Sequence, residues 1–254
     1  MKSSFLNVIF ISLFVILSIA ACLPFKQAAE GPEGPLDPQY FYSLDPDVSK
    51  DEELEEWLKP YREIYEQEMG QGITETKVPL ELHNPESLLG NLAADMIRYR
   101  AALEMQEFVH LGLIDRNALR LELPEGIITR RDLYELMPDN SELVILKVTG
   151  RNVAELAGEI ARKGGAPVSG MRMGIAGDEA KGVLVNAETL VPDRTYYLAT
   201  TSELADHSGE FESLHPYEER YDFPILIRDL FIDYMKARLS LEPVLDHRIR
   251  NLNS

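Results

Sequence analysis

Apolar residues recur at Leu54, Trp57, Leu58, Tyr61, Ile64, Tyr65 and Met69, a helical spacing that predicts an amphipathic helix over 51–69. Pro60 is expected to bend or break it, because proline removes a backbone donor and crowds the preceding turn. A short extended stretch over 77–82 (KVPLEL) leads into a second helix starting near Pro85, with Asn84 as its N-cap and Leu88, Leu92, Met96 and Tyr99 along one side. Further on the pattern tightens into short runs suited to strands at 107–111, 142–149, 170–176, 182–186 and 195–200, each flanked by Gly, Pro, Asp or Asn. Between them a helix is expected over 152–163, beginning after Gly150 and stopping at Gly164-Gly165. A last helix over 224–239 places Ile227, Leu230, Phe231, Tyr234 and Met235 on one face. Strands and helices mixed without regular alternation predict an α+β fold, with mixed β-sheets flanked by helices.

The N-terminus follows a different logic. Lys2 precedes an apolar run from Phe5 to Ile19, and Ala20 and Ala21 then lead into Cys22, the single cysteine of the chain. This order predicts a lipoprotein signal peptide over 1–21, cleaved before an acylated Cys22. The run falls short of the roughly 20 apolar residues a spanning helix needs. Several acyl chains on Cys22 would hold the protein stably where one would not. The Pro-, Gly- and Asp-rich stretch that follows reads as a flexible tether over 22–50, leaving 51–254 as the folded domain. The expected location is the bacterial cell envelope, facing periplasm or exterior, with membrane contact through the lipid anchor only.

A formal net charge of -18 over 254 residues argues against nucleic acid as a partner, since binding phosphate backbones needs clustered Lys and Arg. A small phosphate ester held by one or two local arginines remains compatible with it. The acidic run DEELEE at 51–56 suits a solvated helix N-terminus better than a metal site. The five histidines, His83, His110, His207, His215 and His247, form no ligand pair at short spacing, so no metal site is expected. Ser202, His207 and Ser208 lie in no nucleophile elbow. Arg130, Arg131 and Arg228 are the densest local positive charges, and Arg228-Asp229 reads as a structural ion pair.

Several segments, taken in order, carry a resemblance. They are ESLLGNLAADMIRY at 86–99, FVHLGLIDRNAL at 108–119, GIITRRDLYELMPDNSELVILKVTG at 126–150, VSGMRMGI at 168–175, TYYLATTSEL at 195–204, and LIRDLFIDYM with DHRI over 226–249. The ordered set resembles the C-terminal, substrate-binding domain of the 5'-nucleotidase family, over roughly residues 55–250. In that family an N-terminal metallophosphoesterase domain binds two metal ions and supplies the attacking water, while the C-terminal domain holds base and phosphate. The Asp-x-His, Gly-Asn-His-Glu and Gly-His-x-His signatures of the metal-binding half do not occur in this sequence. The resemblance therefore implies no catalytic residues and no cofactor in this chain. Divalent metals would belong to a separate metallophosphoesterase chain acting as partner.

The same resemblance implies a substrate-binding set of Gly112, Arg116 and Phe211. Gly112 and Arg116 match the first glycine and the arginine of the family's glycine-rich loop, where glycine admits close approach and the guanidinium forks onto an anion. Leu111 replaces the loop's asparagine, and Leu113 and Ile114 replace flexible positions. A surface role for Arg116, paired with Asp115 or Glu122, is an equal alternative. In the two elements whose rings sandwich the base, Asp139 stands in one and Glu203 near the other. The Gly-Gly-Asp-Gly-Phe motif has become His207, Ser208, Gly209, Glu210 and Phe211, with Asp206 or Glu210 as the ribose acceptor only after a one-residue slip. The implied function is that of a noncatalytic partner in nucleotide or phosphate-ester hydrolysis. The alternative is a binding or structural module without nucleotide chemistry.

Overall fold

The computed structural model describes residues 50–206 and 210–252. The expected signal peptide, Cys22 and nearly all of the expected tether lie outside the described residues, as do His207, Ser208 and Gly209. The chain divides into two units, Met1–Glu55 and Glu56–Ser254, and the second holds the sheets described next.

Helix α1 (Glu52–Met69) begins where Asp51 Oδ1 accepts from the amides of Glu53 and Leu54. It runs unbroken through Pro60, and none of its residues is buried. The expected apolar face therefore forms, but Trp57, Tyr61 and Ile64 stand exposed. Strand β1 (Gly72–Thr76) follows, and then α2 (Leu88–Met105). The segment 77–82, expected to be extended, makes only an isolated bridge between Leu80 and Leu123, and the strand lies before it. Ser87, not Asn84, caps α2: its hydroxyl accepts from the Gly90 amide, while the Asn84 side chain donates to the Lys163 carbonyl.

Strand β2 (Leu111–Leu113), β3 (Gly126–Thr129) and α3 (Arg130–Leu136) precede the long β4 (Glu142–Thr149). Helix α4 (Gly150–Arg162) starts directly from β4 through a reciprocal capping box between Thr149 and Asn152. Only glycine fits at position 150, where a Cβ would sit 2.0 Å from the Val191 carbonyl oxygen. Strands β5 (Val168–Ser169), β6 (Met171–Ala176), β7 (Glu179–Val185), β8 (Glu188–Thr189) and β9 (Thr195–Thr201) come next, then the short α5 (Ser202–Asp206). The chain continues through β10 (Glu219–Leu226), α6 (Ile227–Lys236), β11 (Ser240–Leu241) and β12 (Ile249–Asn251). Pro224, expected to open the last helix, lies instead in β10. That strand is at the edge of its sheet and shifts register between Phe223 and Leu226, where a missing amide costs least.

The strands form three sheets, ordered β11-β1-β3, β10-β4-β9-β2-β5 and β12-β6-β7-β8. Both α+β class and flanking helices are as the pattern predicted. The five-stranded sheet divides two apolar cores. Leu143 and Ile145 of β4 face one, with Met96 and Ile97 of α2 and Phe231 of α6. Val144, Leu146 and Val148 face the other, with Val153, Leu156 and Ile160 of α4. Each fully buried side chain of this size contributes about 1.5–3 kcal/mol. No helix among the described residues is long and apolar enough to cross a membrane.

Candidate functional site

The three residues expected to hold substrate do not share one environment. Gly112 lies in β2, buried beneath α2, where a Cβ would meet the Ala94 carbonyl oxygen at 2.5 Å and the Arg98 Cβ at 3.0 Å. Its lack of a side chain serves the strand–helix approach. Arg116 opens a 3₁₀ turn (Arg116–Ala118) and donates to Asn84 Oδ1 at 3.2 Å and the Leu82 carbonyl at 2.9 Å. Neither Asp115 nor Glu122 is its hydrogen-bond partner: Asp115 caps the turn through the Asn117 amide, and Glu122 accepts from the Leu82 amide. Phe211 is buried in the second core, with the Lys163 ammonium 5.3 Å from its ring centroid. Glu210 pairs with that same lysine at 2.6 Å.

The segments that carry Asp139 and Glu203 come together. Ser141 and Ser202 meet hydroxyl to hydroxyl at 3.2 Å, the Ser202 hydroxyl accepts from the Glu142 amide, and the Ser141 hydroxyl from the Glu203 amide. This clasp joins the start of β4 to the start of α5. Asp139 pairs with Arg120 at 3.0 Å. The guanidinium of Arg120 is held above its ordinary pKa by that hydrogen bond and charge, with further help from Glu203 and Asp115. The rim of these loops is therefore carboxylates around one arginine. Arg228, buried beneath, makes no ion pair with Asp229. It donates to the carbonyls of Met137 and Pro138 and to Asn140 Oδ1, with its guanidinium 4.2 Å from the Tyr134 ring centroid. The expected Arg228–Asp229 pair gives way to a brace under the 137–140 loop.

A second polar centre surrounds Asp95 of α2. Its carboxylate receives two hydrogen bonds from Arg248, at 2.9 and 3.1 Å, and one from the Ser169 hydroxyl at 2.5 Å. Arg248 also donates to Asp246 and to the Val168 carbonyl. Burial works to lower the Arg248 pKa, but Asp95 and Asp246 outweigh it and the net direction is up. Burial likewise works to raise Asp246, yet Arg248 and Arg172 hold it below the ordinary carboxylate value. Arg98, one turn along α2, is lowered by burial and by the neighbouring Arg248, with Asp95 opposing. Sequence reading passed over this centre. Its signal was present as Asp95 and Arg98 at i, i+3 on α2, and the fold supplies Arg248 from 153 residues away.

Among the described residues no group of three or more His, Cys, Asp or Glu side chains is arranged to hold a metal ion. The family model of the 5'-nucleotidase C-terminal domain matches residues 72–215. The chain belongs to that family. Its domain is similar to the 5'-nucleotidase precursor of Thermus thermophilus, with a TM-score of 0.69 and 25% identity over 79% of this chain and 43% of that one. The NAD nucleotidase (NadN) of Haemophilus influenzae shares the fold at 17% identity and a TM-score of 0.59, covering 79% of this chain and 41% of its own. Among curated proteins, the endonuclease YhcR of Bacillus subtilis (strain 168) is 28% identical over 179 residues, which are 65% of this chain and 14% of that protein. The family domain thus spans less than half the length of each of these relatives.

Proposed function

We propose that this chain is the noncatalytic, ligand-recognising member of a pair. In this reading it is an envelope lipoprotein, anchored through Cys22, whose family domain works with a separately encoded metallophosphoesterase on nucleotides or other phosphate esters. The observation that carries the reading is the Ser141–Ser202 clasp, which joins the two segments that the resemblance assigns to base binding, on a domain of that family. In phosphate-ester hydrolysis a metal pair clamps the attacking and leaving oxygens, and here that chemistry would come from the partner. The domain's own share would be to orient the ester by hydrogen bonds from the loop arginines, Arg120 and Arg116. Phosphate release from AMP and from sugar phosphates is to be assayed with the chain, a metallophosphoesterase from the same genome, and the two mixed. Faster release by the mixture is expected; no binding and no change in rate would sink the proposal. Radiolabelled palmitate should enter the wild type and not Cys22→Ser.

A second reading has its own support. Asp139 and Glu203 stand where rings would stack, and Arg116 spends its hydrogen bonds on Asn84 and Leu82. A domain so altered would be a binding or structural module without nucleotide chemistry. Calorimetric titration of AMP into the chain separates the two: saturable binding weakened by Arg116→Ala favours the first, and absence of binding favours the second.

A further inference from the structure

The centre around Asp95 opens to solvent through two adjoining cavities. One, about 370 Å3, is lined by Arg98, Tyr99, Phe108 and Tyr234. The other, about 460 Å3, is lined by Arg98, Arg172, Asn186, Asp246 and Arg248. Both include Asp95, Arg98 and Ser169.

The charges in the larger cavity do not cancel: three guanidiniums face two carboxylates, in a chain whose net charge is -18. The hydrogen bonds place the excess. Asp95 is engaged by Arg248 and Ser169, and Asp246 by Arg248 and Arg172. Arg98 instead donates to neutral acceptors, the Val109 carbonyl at 3.0 Å, Ser169 Oγ at 3.4 Å and Asn186 Oδ1 at 2.6 Å. A partly desolvated guanidinium whose hydrogen bonds go to neutral groups attracts an anion more strongly than a paired surface arginine does. Beside it, Phe108 is 59% exposed and Tyr99 51% exposed. The Arg98 guanidinium lies 5.7 Å from the Phe108 centroid, and Tyr99 meets Tyr234 edge to face at 5.7 Å. Rings left open to water next to a cation offer a planar ligand both stacking area and a charge partner.

We infer that this cleft binds a small aromatic carboxylate, with its carboxylate on Arg98 and its ring against Phe108 and Tyr99. The larger cavity carries one excess positive charge, which matches one negative charge and favours a carboxylate over a dianionic phosphate. Arg238, stacked 3.4 Å from the Tyr234 centroid and 5.9 Å from that of Tyr99, stands outside this cavity. The cleft shares no residue with the Ser141–Ser202 clasp or with Arg116, so it goes beyond the proposed function and fails or stands separately from it.

The test is calorimetric titration of the full chain with benzoate and phenylacetate, with acetate as the ringless probe and benzyl alcohol as the uncharged one. Saturable binding of an aromatic acid is expected, with acetate and benzyl alcohol each weaker by about ten-fold or more. Phe108→Ala, at an exposed position, should weaken the aromatic acids about ten-fold. Arg98→Lys, which keeps the charge and loses the fork, should weaken them as well, whereas Arg116→Ala should leave them unchanged. Three results would overturn the inference: no saturable binding of either aromatic acid, acetate binding equally well, or affinity indifferent to Phe108→Ala.

Discussion

At Gly112 a methyl group would have to displace the Ala94 carbonyl of α2, 2.5 Å away. Overpacking of this kind costs about 1–3 kcal/mol, so Gly112→Ala should lower the unfolding free energy in urea by that much with no ligand present. An unchanged stability would return the glycine to a ligand-contact role. His110 offers a second residue-scale test. Its Nδ1 accepts from the Tyr197 amide at 3.1 Å. Burial, and then the positive charges of Arg194 and Arg98, push its pKa below the ordinary value. A depressed pKa means the unfolded chain takes up the proton first. The stabilising contribution is therefore whole above about pH 6.5 and is lost as pH falls toward the lower folded pKa. Compared with His110→Gln, the wild type should lose more stability between about pH 7.5 and about pH 5.5. Equal losses in chemical denaturation would remove His110 from the account.

Among the described elements, α1 is a helix with no buried residue. Its Trp57 and Tyr61 rings touch each other, with centroids 5.4 Å apart. Trp57→Ala with Tyr61→Ala should change the unfolding free energy by less than about 1 kcal/mol, whereas Phe231→Ala in α6 should cost about 3–5 kcal/mol. A comparable loss in both would show that the α1 face is already packed within the chain. The helices α1, α2 and α4 and the strands β4, β6 and β9 were legible because each carries a clear period or a sustained apolar run. Strands β1, β3 and β10 were not. β1 (GITET) is too short and too polar to show a period, and β10 (ERYDFPIL) hides behind charges and Pro224 that only an edge strand accommodates. At the site, the acidic side chains of Asp139 and Glu203 were legible in the sequence itself. The Arg116 clip to Asn84 and Leu82 and the Asp95–Arg248 pair were not, because each joins segments far apart in the chain.

At the scale of the molecule, β4 and β9 belong to neither core alone. Seven residues of β4, Leu143 to Thr149, pair in register with Thr201 to Thr195, and apolar layers cover the sheet on both sides. The Ser141–Ser202 clasp ties the start of β4 to the residue that follows β9, and helices α2 and α4 pack against this pair of strands. The protection of its backbone amides then measures the whole domain at once. After transfer to deuterated water, the β4 and β9 amides should be the last to exchange, at a rate set by global opening, while those of α1 exchange early. Slow amides confined to one core, with β4 exchanging sooner, would mean that the two halves open independently.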